Sequence, residues 1–62
     1  MTKVIESLAW DMTIGAGNTE QPLPKAKDVE AICVELGRPL TPDEFRTFRA
    51  AWARCILEAA QP

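Results

Sequence analysis

The stretch LTPDEFRTFRAAWARCILEAA, residues 40–60, decides the fold, because it carries the start, the buried face and the extent of one long helix. Thr41 suits the cap, Pro42 the first helical position, and Asp43 and Glu44 bring negative charge to the positive end of the helix dipole. Thr41 and Glu44 have the spacing of a capping box, and Leu40 and Phe45 that of a hydrophobic staple. Beyond this start, Phe45, Phe48, Trp52, Cys55 and Ala59 recur in steps of three and four, which places them on one stripe. No Gly or Pro interrupts the run before Pro62. A helix over 42–60 would be roughly 30 Å long, so the rest of a small chain has to pack along it.

Immediately before this stretch, Gly37 is placed to end a preceding helix, and Arg38, Pro39 and Leu40 form a short connection. That preceding helix is expected over about 25–36, because Val29, Ile32, Cys33 and Leu36 have the i, i+3, i+4, i+7 spacing of one buried face. A link so short makes the two helices neighbours, antiparallel or crossing, in an αα-hairpin. Residues 15–24 contain two Gly, an Asn and two Pro and read as a loop. Gly15-Ala16-Gly17 lacks both the third Gly and the Gly-Lys-Ser/Thr ending of phosphate-binding motifs, so it carries no nucleotide signal.

The first segment, about 3–14, is expected to be a helix capped by Thr2, with Val4, Ile5, Leu8 and Met12 on its inner face and Gly15 as its C-cap. Leu8, Trp10, Met12 and Ile14 also alternate, the period of a half-buried strand. A single strand has no partner in this chain, which favours a helix whose far end unwinds early. The architecture expected is therefore all-α: one small domain over 1–62, of two or three helices, built on an αα-hairpin with a long C-terminal helix. Trp10 is expected in the core, its alternative role being a partly exposed anchor. Trp52 is expected in the core or in a dimer seam.

Sixty-two residues allow one small core, and a chain of this size buries only about 60% of the surface it exposes when unfolded. Self-association along the aromatic stripe would add burial; the competing expectation is that the first two segments fill that stripe within one chain. A formal charge of -2 gives no general attraction to nucleic acid. The charge is uneven, with three Lys against six acidic residues before Gly37 and four Arg against three acidic residues after it. The N-terminus lacks the continuous apolar stretch of a signal peptide, and nothing approaches the ~20 apolar residues of a membrane span, so a soluble cytoplasmic protein is expected.

The chain has no His and no Tyr, which removes the commonest general base and a frequent metal ligand. Two Cys do not complete a zinc site, and in an antiparallel hairpin Cys33 and Cys55 stand roughly 15 Å apart at 1.5 Å per residue, beyond disulfide reach. Both read as buried structural thiols in a reducing compartment. Asp43 and Glu44 are accounted for by capping, and adjacent helical residues do not converge on one metal ion. No catalytic residues, no metal and no cofactor are expected.

Arg46, Arg49 and Arg54 surround Ala50, Ala53 and Leu57 on the side of the last helix away from the aromatic stripe. A solvated face with local pairs, Asp43 with Arg46 and Arg54 with Glu58, accounts for the charges. It leaves Leu57 unexplained. A contact surface explains both, since small Ala residues allow close approach and Arg offers forked hydrogen bonds. The function expected is that of a non-enzymatic protein-binding module, an adaptor or steric inhibitor of a larger partner of the kind small phage and plasmid accessory proteins provide. Its partner-binding residues are Trp10, Arg46, Arg49, Arg54 and Leu57. The alternative is a DNA-associated regulator using the Arg-bearing helix, which is weakened by Asp43 and Glu44 at the end that would face phosphates. The spacing of Leu40, Thr41, Glu44 and Phe48 resembles the last helical segment of the Hha/YmoA family of nucleoid-protein modulators. That resemblance rests on capping and core residues and implies binding to a nucleoid protein rather than to DNA.

Overall fold

The computed structural model describes residues 2–61, in three helices: α1 (Thr2–Met12), α2 (Ala26–Leu36) and α3 (Pro42–Ala60). The all-α architecture is that expected, with the α2–α3 connection as short as predicted and α3 at the limits read from its caps. The molecule measures 36 × 18 × 16 Å, and α3 accounts for about 28 Å of the long dimension at 1.5 Å per residue. No helix among the described residues is long and apolar enough to cross a membrane.

The start of α3 is built as its sequence requires. Thr41 Oγ1 accepts from the Glu44 N–H at 3.2 Å, and the Glu44 carboxylate accepts from the Thr41 N–H at 3.0 Å. At the end of α2, Gly37 adopts φ 76°; its N–H donates to the Val34 carbonyl and that of Arg38 to the Cys33 carbonyl. This is a Schellman turn, which satisfies the last carbonyls of the helix and reverses the chain. At the start of α2, the Asp28 carboxylate accepts from the Lys25 N–H at 2.9 Å.

The closest backbone packing is that of α1 on α3, whereas α2 joins the same core through side chains. Ile5, Ala9, Ile32, Phe48, Ala51 and Trp52 form that core, with Leu8, Met12, Val29, Leu36, Leu40 and Ile56 packed around it. Phe48 and Trp52 meet edge to face, with centroids 5.8 Å apart. Both rings are buried within one chain, whereas Phe45, at the start of the same stripe, stays exposed. Sedimentation reads the oligomeric state independently.

Several expectations for the first segment are corrected. Thr2 is the first residue of α1 rather than its cap, and the helix ends at Met12, with Thr13–Gly17 in turns. The buried face is Ile5 and Ala9, with Leu8 and Met12 partly covered, while Val4 is exposed. The face is rotated because Ala9 and Ala51 are both buried, and two small residues let the helices approach closely. Counting only large apolar residues discounts Ala and misplaces the stripe. Trp10 consequently lies outside the core, 48% exposed.

Gly15 does not end α1 in the left-handed conformation; that conformation falls at Gly17, φ 70°. Gly15 is needed for a different reason. A Cβ there would stand 2.9 Å from the Asp11 carbonyl oxygen and 3.0 Å from Asp11 Cα, backbone atoms that cannot yield. Thr13, the buried polar residue of the turn, donates its hydroxyl to the Ala9 carbonyl at 2.8 Å, which permits its burial.

Candidate functional site

Two surfaces of α3 offer chemistry. The first is its outward face. Turning Phe48, Ala51, Trp52 and Cys55 inward leaves Arg46, Ala50, Ala53 and Leu57 outward by helical geometry, and all four are exposed. Leu57 is 62% exposed. Arg46 pairs with Asp43, as expected. Arg54 does not pair with Glu58 as expected: its guanidinium lies 3.6 Å from the Glu6 carboxylate, because α1 packs alongside and brings Glu6 within reach. Both pairs are exposed and contribute little to stability. Trp10 follows Glu6 by four residues, so it stands on the same side of α1, the side turned toward Arg54. The structure thus leaves Arg46, Arg54, Leu57 and Trp10 exposed, with Arg54 tied to α1 through Glu6.

Arg49 turns away from this group. It lies over the Phe45 ring, 5.8 Å from its centroid, in a cation–π contact. Phe45 itself, expected inside, is 38% exposed. The reason is length: α1, about 16 Å long, cannot cover the ~28 Å of α3, so both ends of the stripe, Phe45 and Ala59, stay open.

The second surface is an open apolar cleft of about 450 Å³ lined by Val29, Cys33, Pro39, Leu40, Thr41, Pro42 and Phe45. It sits where the Schellman turn and the two prolines carry the chain from α2 to α3. Proline presents carbon and no N–H, so the connection forms an apolar wall. Cys33, expected to be buried, is only half-buried because it faces this cleft, whereas Cys55 is buried; both are free thiols. Sequence reading missed the cleft as a site, although the staple pair Leu40 and Phe45 and the flanking prolines were its signals.

Beside the cleft, Arg38 grips Glu44 with both guanidinium nitrogens at 2.7 Å and donates to the Pro39 carbonyl at 3.1 Å. These hydrogen bonds from Arg38, aided by the Thr41 N–H, hold the Glu44 carboxyl down to about 2. A carboxylate whose folded pKa lies below its ordinary ~4.3 stabilises the fold above that ordinary value and loses the contribution as pH falls toward the folded one. The melting temperature is therefore expected to drop between about pH 4.3 and the folded value of about 2, as Glu44 protonates. Glu44→Gln preserves the capping geometry and should flatten that acid limb. An acid limb unchanged by the substitution would assign it to other carboxylates.

No group of three His, Cys, Asp or Glu among the described residues is arranged to hold a metal ion. In comparison with known proteins, the chain matches no family model, no curated protein and no solved structure.

Proposed function

We propose that the chain is a non-enzymatic protein-binding module, an adaptor or steric inhibitor of a larger partner, which docks through the outward face of α3 and the adjoining Trp10. The observation that supports this most is the pairing of exposed Leu57 and exposed Trp10 with a core that closes without either. Exposed Leu57 beside flanking arginines gives such a face an apolar centre and a polar rim, the arrangement of a specific interface. Trp and Arg are also the residue types most enriched among interface hot spots.

The test is a double variant, Arg46→Glu with Arg54→Glu, used as bait beside the parent chain in cross-linking capture from the native host. Surface substitutions away from core and caps rarely cost more than about 0.5 kcal/mol. Opposing Glu6 with a second carboxylate at position 54 adds a comparably small penalty. The melting temperature is thus expected to change little, while partner capture is lost. A partner retained equally by both baits would remove this face from consideration. Duplex DNA binding by the parent, steep in salt and lost in the variant, would instead favour a DNA-associated regulator.

A further inference from the structure

We propose that the cleft between α2 and the start of α3 is a second recognition site, which takes a partner peptide segment presenting one large apolar side chain beside a carboxylate. The apolar side chain enters between Val29 and Cys33 on one side and Leu40, Pro42 and Phe45 on the other. The carboxylate meets Arg49 at the rim. This site is separate from the outward face, since Phe45 and Leu57 lie about 120° apart around a helix of 3.6 residues per turn.

Charge complementarity selects this occupant. Of the four arginines, Arg38 is neutralised by Glu44, Arg46 by Asp43, and Arg54 faces Glu6. Arg49 has no carboxylate within ion-pair distance among the described residues and lies over the face of Phe45, a wall of the cleft. A guanidinium stacked on an aromatic ring is oriented while its N–H groups remain open to an acceptor. The cleft lining is mostly apolar, and at about 450 Å³ the space lies within the range of ligand sites. It is open rather than enclosed, which suits a side chain delivered from another backbone. An apolar body with an adjacent anionic head satisfies both elements; a neutral apolar segment leaves Arg49 unused, and a highly charged one leaves the floor uncovered.

The experiment is selection of a phage-displayed random dodecapeptide library on the full chain, followed by titration of the best synthetic peptide into isotopically labelled protein. The enriched sequences are expected to share Leu, Phe or Met adjacent to, or one helical turn from, Asp or Glu. Amide shifts should cluster on Val29, Cys33, Leu40 and Phe45. Arg49→Gln should weaken binding about tenfold, the scale of one hydrogen bond between charged groups, and replacing the peptide's acid by its amide should add no further loss in that variant. Arg49 is exposed, so its replacement leaves the core untouched.

No saturable peptide, or one that binds Arg49→Gln equally, overturns the proposal. Shifts confined to Trp10, Ala50 and Leu57 also overturn it while supporting the outward face, and shifts at the cleft with an unperturbed outward face support it. The chain's own Leu57–Glu58 carries the same chemistry in exposed form. Concentration-dependent association of the unliganded chain, abolished equally by Arg49→Gln and by Leu57→Asp, would therefore assign the cleft to a second copy and overturn the partner-peptide assignment.

Discussion

Phe48→Ala is expected to remove about 3–5 kcal/mol of stability, with a steep fall in melting temperature. Phe48 is fully buried, stacked edge to face on Trp52 and packed in the core that side chains of all three helices form, with Ile5, Ala9 and Ile32. Truncating a buried Phe costs about 3–5 kcal/mol, because the lost transfer energy is joined by the cavity left behind. At roughly 0.05–0.15 kcal/mol per residue, a chain of this length holds only about 3–9 kcal/mol in all. The change therefore consumes at least about a third of the stability, and all of it at the lower end of that range. Thermal and urea melts followed by far-ultraviolet circular dichroism measure it, and Phe48→Leu, which keeps most of the volume, should retain a cooperative transition. A melting curve for Phe48→Ala that overlays the parent's would show that the three helices do not converge on this ring.

Trp52→Ala should be comparably severe, about 3–5 kcal/mol, but for two separable reasons. The ring is fully buried, and its indole N–H donates to the Gln21 carbonyl at 2.9 Å, across 31 positions of sequence. Gln21 in turn donates its side-chain amide to the Asp28 carboxylate at 2.7 Å and to the Leu23 carbonyl at 3.1 Å. Asp28 caps the start of α2. Through this chain of donors the middle of α3 holds the loop, and the loop holds the second helix. Trp52→Phe separates the two contributions: it keeps most of the apolar volume and removes the donor, at a cost of about 1 kcal/mol for the hydrogen bond. Amide exchange across residues 18–25 should accelerate in Trp52→Phe more than exchange in α1. Unchanged loop protection in that variant would mean the loop is held by its own contacts to Asp28.

Much of this architecture was legible because its signals are local. The Thr41–Glu44 capping box, Pro42 at the first turn, the Gly37 terminator and the apolar steps of α2 and α3 each act within one or two helical turns. A linear reading reaches that far, and the limits of α3 came out as read. Exposure of Arg46, Arg49, Arg54 and Leu57 followed from the same periodicity, since an inward stripe forces its opposite outward. Only the tertiary structure decided which residues of α1 are buried, because Ala9 and Ala51 signal weakly by hydropathy yet control how near two backbones can come. That near approach turned Trp10 outward and brought Glu6 to Arg54. Only the tertiary structure, likewise, opened the cleft at Phe45 and assigned Trp52's N–H to Gln21. Helix lengths and long-range partners depend on pieces of chain far apart in sequence, and periodicity within one segment carries no information about what will lie against it.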